Sequence, residues 1–572
     1  MRTGSWCCAA LLSFVCAPLG AAETPPSGST AAVRVIPPLS ERPLEATEGD
    51  PIATAGFRVQ GVTKHPELGV SPASVQRLAD GLYELIAGGE PLTINSAMER
   101  AGEKRAAPVV GLTVGQLQRV AEQVAIYLRN SGLPLAQAYI PVQEVGVDGI
   151  VLIDVVEAKL GKVVVEGAKR MPPKLIAASA NPLLDAPLTR TRIESTMLTA
   201  QSLPGTSVIG TFRPGENAGE TDLVLKVQDE ETFEFRIGGD NYGTEFAGEY
   251  RLRGDAIVHN PIGIGDQLAM SVVQAFSPAD TTYGAASYSV PLGRPQIRAH
   301  VRFEKAAFVA SNQFAGTIDV KGDNDLVEGG VRWDVLRSRS INLNTGLAYQ
   351  VRRANVEFDD IPIVLTDDLL KTTVVDLAMQ RFDARFKGVD FLEAAFRKGE
   401  DKADGFEVIS NEDKFWVLDF GYSRYQRITD NQTLLLVTRA QWSDDLLSAL
   451  ERFSLGGPDS VRAYPVSEIL VDRGVLASIE YRIAAPGFSQ KASPFRGVAW
   501  GKILQFLIFF DYASGKLAEN DPGDDIHGAG GGLLLTAPHN ITVKVTGATP
   551  TGSIDPSDGD DFRAYAEFSI AF

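Results

Sequence analysis

The 572-residue chain carries 54 Lys and Arg against 72 Asp and Glu, a formal net charge of -18. That balance excludes nucleic acid as a partner, because phosphate binding needs clustered cations. The length exceeds one ordinary globular core, and all three cysteines (Cys7, Cys8, Cys16) sit near the start, which excludes a disulfide framework or a thiolate metal site further along.

Residues 1–22 read as a signal peptide: Arg2, an apolar run from Trp6 to Leu19, then Gly20, Ala21 and Ala22 ahead of Glu23. Cys16, followed by Ala17 and Pro18, makes a poor lipobox. Residues 23–54 are rich in Pro, Ser, Thr and Glu without apolar periodicity and read as a flexible lead-in, with order starting at Phe57. No later stretch reaches eighteen apolar residues, so helical membrane spans beyond the signal are not expected.

A first small α+β module is predicted over 55–158. "FRVQGV" is a strand, and Ser71 opens a helix with Pro72 in its first turn and Val75, Leu78, Leu82 and Leu85 at helical spacing. Thr113 opens a second helix, with Gln116 as its capping-box partner and Leu117, Val120, Val124, Tyr127 and Leu128 on one stripe. Gly132 stops it, and "AQAYIPVQ" and "GIVLIDVVE" follow as strands. The same grammar repeats over 159–231, with helices near 173–180 and 189–202. Each copy would hold a three-stranded sheet with open edges, and an edge can accept an extended peptide as an added strand.

From Thr232 the pattern changes to alternating runs of about ten residues between Gly, Asp, Asn and Pro. The final run is the clearest: Phe562, Ala564, Ala566, Phe568, Ile570 and Phe572 alternate with Arg563, Tyr565, Glu567 and Ser569. A strand with lipid on one side and a wet lumen on the other needs this period of two. At about 20 residues per strand and connection, residues 232–572 accommodate about 16 strands, enough to enclose an aqueous channel.

Other chemistry finds little support. The five histidines lack metal-ligand spacing, and "GAGGGLLL" is not followed by Lys-Ser or Lys-Thr. The acidic pairs Asp359-Asp360, Asp367-Asp368, Asp444-Asp445, Asp524-Asp525 and Asp560-Asp561 match no EF-hand and read as solvated loop charge. No nucleophile elbow is present. Neither an enzyme nor a cofactor nor a metal is expected.

The order of the fragments resembles the outer-membrane transporters of two-partner secretion, the TpsB or ShlB/FhaC/HecB type, in the superfamily that includes BamA. The likeness runs from Phe57 to Phe572. It rests on "AQAYIPVQEVGVDGIVLIDVVEAKLGKVVVEG", "TDLVLKV", "GDNYGTEFAGEYRL", "NPIGIGD", "SYSVPLG", "ERFSLGGPDSVRAYP" with "DRGVLASIEYRI", and the terminal Phe572. It implies a transmembrane antiparallel β-barrel of about 16 strands preceded by two POTRA domains, placed in the outer membrane with the POTRA domains in the periplasm. The implied function is export of a large adhesin- or haemolysin-like secreted partner, the alternative being an assembly or insertion factor of the BamA/TamA type. Further implied partners are outer-membrane lipid and the barrel-assembly machinery that inserts the protein itself.

The resemblance also gives the site. A loop at about 444–473 would fold into the lumen and place Val461, Arg462, Ala463 and Tyr464 against the wall, with Arg462 on Asp511. A guanidinium offers a fixed fork of donors and keeps its charge, so it can clamp a carboxylate bidentately. As a solvated loop residue it would be worth at most about 1 kcal/mol. Three features depart from the family: Ala463 and Ala513 stand where glycine is usual, and the first POTRA is expanded around "GGEPLTINSAMERAGEKRAAPVVG". Some relatives carry an amino-terminal plug helix, but residues 23–54 show no helical pattern.

Overall fold

The computed structural model describes residues 50–572 apart from 102–107, 245–246, 277–280, 315–317, 359–363, 405–413, 496 and 519–520. The expected signal, the lead-in up to residue 49 and part of the first-module expansion lie outside the described residues. The described chain divides into two compact units at residues 229 and 230.

The first unit opens with β1 (Ile52–Thr54), β2 (Gly56–Gln60), α1 (Pro72–Ala87), α2 (Ile94–Arg100), β3 (Val110–Leu112), α3 (Val114–Asn130), β4 (Gln137–Tyr139) and β5 (Ile150–Val156). Both predicted caps are present. The Ser71 hydroxyl accepts from the Ser74 amide at 3.1 Å, and Thr113 and Gln116 close a reciprocal capping box. The helices bury Val75, Leu78, Leu82, Leu117, Val120 and Leu128 over a sheet of order β2-β5-β4, with β2 parallel to β5.

Among the described residues the first strand begins at Ile52, ahead of Phe57, where the composition suggested that order starts. β1 pairs antiparallel with β3, Ile52 opposite Leu112, and the Tyr83 hydroxyl donates to the Thr54 carbonyl at 2.7 Å. The short strand is held by a partner about sixty residues away, which a local reading of a Pro-rich lead-in cannot register. The segment read as an expansion carries α2, capped by Thr93. α2 approaches α1 so closely that a Cβ at Gly81 would lie 1.9 Å from the Ala97 carbonyl oxygen.

The repeat follows as β6 (Lys159–Glu166), α4 (Pro173–Ala178), α5 (Arg190–Gln201), β7 (Thr206–Pro214) and β8 (Glu220–Glu230), with sheet order β6-β8-β7. The edges are not equally open. On the outer side of β2 the Gln76 amide accepts from Val59 N at 2.9 Å and donates to Phe57 O at 2.8 Å, which blunts that edge.

The second unit is a closed barrel. Its first eight strands are β9 (Phe233–Asp240), β10 (Tyr250–His259), β11 (Gln267–Phe276), β12 (Thr281–Pro291), β13 (Ile297–Phe314), β14 (Ile318–Arg337), β15 (Ile341–Phe358) and β16 (Val364–Asp383). β17 (Gly388–Asp404), β18 (Lys414–Thr429) and β19 (Gln432–Trp442) lead to the long loop, which carries the hairpin β20 (Phe453–Leu455) and β21 (Ile469–Val471). β22 (Arg473–Ala484), β23 (Leu504–Lys516), β24 (Asp524–Ala537), β25 (Ile541–Pro550) and β26 (Arg563–Ala571) complete a 16-stranded antiparallel wall. β26 closes on β9, from Glu567 opposite Asp240 to Ala571 opposite Arg236.

Alternation separates the two faces. On β23, Phe506, Ile508 and Phe510 are exposed outward, whereas Leu507, Phe509 and Asp511 are buried inward. The strands are not uniformly about ten residues long: β14 and β16 each span 20, beyond the roughly 9–11 that a bilayer requires. Their pairing continues past the apolar band because backbone ladder bonds form whatever the side chains face. This corrects the reading of two acidic pairs as loop charge, since Asp367 and Asp368 lie within β16, with Asp368 buried, and Asp524 and Asp525 open β24.

Candidate functional site: a loop clamped inside the barrel

Gly456 and Gly457, with φ of 105° and 99°, turn the loop sharply. The Gly457 amide then donates to the Tyr464 carbonyl at 3.1 Å, and the Tyr464 amide donates to the Val461 carbonyl at 3.1 Å. This tight turn presents Arg462 on one side and packs Val461, Ala463 and Tyr464 into an apolar cluster with Leu476, Leu507, Phe509 and Ile526 of the wall.

Arg462 meets the wall at several atoms. Its Nε and Nη2 donate to the two oxygens of Asp511, each at 2.8 Å, and its backbone N–H donates to Asp511 Oδ2 at 3.2 Å. Nη1 donates to Glu480 at 2.7 Å and Nη2 reaches the Ser478 hydroxyl at 3.2 Å, while that hydroxyl donates to Asp511 at 2.6 Å. The guanidinium carbon also lies 3.3 Å from the centroid of the Phe509 ring, so a planar cation rests on an aromatic face. Arg462 is 6% exposed and Asp511 0%. With two carboxylates serving one cation, and Glu480 shared with Arg482 at 2.6 Å, the buried charges are mutually compensated.

The other loop residues fix the approach. The Tyr464 hydroxyl donates to Ile554 O at 2.7 Å. Ala463 faces Gly528 of β24, and a Cβ there would come within 2.3 Å of the Ala463 methyl. The methyl is thus accommodated by a missing side chain on the wall. Ala513 is fully buried, between Leu476 and Ile526 in the ladder. "GAGGGLLL" is a barrel strand that leaves the loop room.

Sequence reasoning placed Arg462 and Asp511 and missed Glu480, Ser478 and Phe509. Period-two alternation held the signal: in "GVLASIEYRI" Leu476, Ser478 and Glu480 share a face, and a carboxylate on the inner face of a wall strand needs a cation. A second attachment was also missed. Glu451, at the start of the loop, contacts Arg397 of β17, which is itself paired with Asp419 at 2.7 Å, and the Gln441 amide donates to the Glu451 carbonyl at 2.9 Å. Arg452 donates to the fully buried Asp472 at 3.2 Å. The loop is therefore fastened to β17 and β19 at one limb and to β22 and β23 at its tip.

Comparison with known proteins agrees with this architecture. The family described as haemolysin secretion/activation protein ShlB/FhaC/HecB matches residues 219–507. The heme/hemopexin transporter protein HuxB of Haemophilus influenzae (strain 86-028NP) is 21% identical over 480 residues, 79% of this chain and 80% of that protein. The outer membrane transporter CdiB of Escherichia coli O6:K15:H31 is 24% identical over 480 residues, covering 81% and 77%. The solved structure of CdiB from Escherichia coli superposes with a TM-score of 0.67 at 20% identity, covering 93% of each chain. A closed 16-stranded barrel, two α+β modules ahead of it and a match over half the chain lead to one conclusion: the protein belongs to the ShlB/FhaC/HecB haemolysin secretion/activation family, as an outer-membrane transporter of two-partner secretion.

Proposed function

We propose that the chain captures a large adhesin- or haemolysin-like partner at its POTRA modules in the periplasm and passes it outward through the barrel while it is unfolded. The observation that carries this reading is the Arg462–Asp511 clamp. It fastens the tip of a loop inside a closed barrel through directional bonds beside an apolar cluster, with a second attachment at Glu451, so displacing the tip requires breaking the Arg462 bonds and exposing Val461 and Tyr464. Transport would draw on binding and on the cargo folding outside. Insertion of the protein itself would rest on the barrel-assembly machinery.

Within the modules, capture by strand addition favours edges other than β2, where Gln76 already occupies backbone groups. β7, nine residues long and at the end of its sheet, offers the longest remaining strand, with its Val208 carbonyl taken by the Gln201 amide at 3.3 Å. The test is deletion of residues 57–158 in cells that make the partner. The expected result is a folded, heat-modifiable barrel in the outer membrane and loss of secreted partner; normal secretion would reduce the first module to a spacer.

A further inference from the structure

The barrel is polarised in charge along its axis. The short turns 292–296, 338–340, 384–387, 430–431 and 485–503 are consecutive neighbours, joined by backbone bonds such as Asp334 N to Gln296 O, Phe382 N to Ser340 O, Arg427 N to Lys387 O and Ala484 N to Asn431 O. Their exposed cations are Arg294, Arg339, Arg385, Lys387, Lys491 and Lys502. Their sequences contain a single acid, Asp430, which pairs with Arg427 at 2.7 Å. At the opposite end the sequence of connection 551–562 contains four acidic residues, Asp555, Asp558, Asp560 and Asp561, and no Lys or Arg. In a chain of net charge -18, this gathering of cations at one rim is a local reversal of sign.

Apolar residues sit beside the cations. Leu292, Leu336, Phe386 and Ile428 are all exposed, and the Arg385 guanidinium lies 5.2 Å from the Phe386 ring centroid. In the long turn 485–503, Phe488 packs edge-on against Trp500 at 6.0 Å and against the outward-facing Phe506 at 6.5 Å. Aromatic rings beside cations at the end of an apolar wall suit the headgroup level of a bilayer, where rings meet the acyl boundary and cations meet phosphate.

We propose that the short-turn rim is a contact for anionic glycerophospholipid, selecting headgroups of net negative charge over zwitterionic ones along the arc from Arg294 to Lys502. This rests on the reading of the chain as an outer-membrane barrel whose short turns face the periplasm, where the adjoining leaflet is glycerophospholipid. The acidic rim, by the same electrostatics, would repel such lipid.

The test uses the full chain in nanodiscs of mixed phosphatidylglycerol and phosphatidylcholine, with retained lipid counted by native mass spectrometry after gentle delipidation. The native protein should retain phosphatidylglycerol preferentially, and added salt should erase the preference. The combined variant Arg385→Gln, Lys387→Gln, Lys491→Gln and Lys502→Gln should lose at least about fivefold of it, roughly the contribution of one surface cation. Asp560→Asn with Asp561→Asn, at the other rim, should leave it unchanged. Should the combined variant fail to fold, the salt titration of the native protein decides alone. Equal retention of the two lipids, a preference that added salt leaves intact, or an unaltered preference in the neutralised variant would overturn the proposal. Protease cleavage within 485–503 on intact cells would instead overturn the side assignment and leave the charge preference standing.

Discussion

Arg462→Ala removes the one group that Asp511 and Glu480 share, leaving two carboxylates, 0% and 3% exposed, facing each other across Ser478. Breaking a buried pair by deleting one partner costs about 3–5 kcal/mol. Glu480 keeps Arg482, which places the expected cost at the lower end. The cost falls on the docked state of the loop and not on the barrel, because Arg462 makes no ladder bond. About 3 kcal/mol corresponds to a rise of roughly a hundredfold in the displaced population. Residues 17–572 contain no cysteine, so Val461→Cys, at a position 0% exposed, provides a clean reporter. Its maleimide labelling in the folded barrel should accelerate about a hundredfold when Arg462→Ala is added. Asp511→Ala should act similarly, and the pair together should cost less than the sum. Arg462→Lys should behave closer to alanine than to arginine, since an ammonium cannot bond both oxygens of Asp511 in a fixed fork. Labelling that rose less than about threefold, well short of the loss expected for a buried pair, would refute this reasoning.

Two further perturbations follow from other contacts. Gly528→Ala would place a Cβ 2.3 Å from the Ala463 methyl and should displace the loop at a cost of about 1–3 kcal/mol, read as faster labelling at Val461→Cys; Ala463→Gly added to it should restore protection. In the first module, burial would raise the Glu157 carboxyl, but hydrogen bonds from Thr63 and His65 outweigh it and hold the group below the usual glutamate range. Its stabilising effect is therefore complete above the unfolded value of about 4.3 and is lost as pH falls through the lower folded value. Protection of the Thr63 amide, which donates to Glu157 at 2.8 Å, should decline in that acid window in hydrogen exchange and should show no such decline in Glu157→Gln.

Legibility differed by element for physical reasons. Ser71 and Thr113 were readable because a cap and its partner lie three residues apart and a helical stripe repeats locally. The barrel was readable because lipid on one side and lumen on the other impose one alternation on every strand. β1 was not, since its sheet partner among the described residues is the distant β3, and neither was the blunting of β2 by Gln76, which is tertiary. Arg462 and Asp511 emerged from resemblance and not from composition, for nothing local distinguishes a buried loop arginine from a solvated one. Glu480 could have been found from its parity with Leu476 and Ser478. Glu451 could not, because its partner Arg397 lies on a strand 54 residues earlier.

The most direct test of export through a clamped loop is secretion of the partner by cells carrying Arg462→Ala. The account predicts that heat-modifiable barrel in the outer membrane stays at the native amount while the partner reaching the medium falls sharply, with Asp511→Ala matching the defect and the double variant no worse than either. Undiminished secretion by Arg462→Ala, or strictly additive losses in the pair, would contradict it.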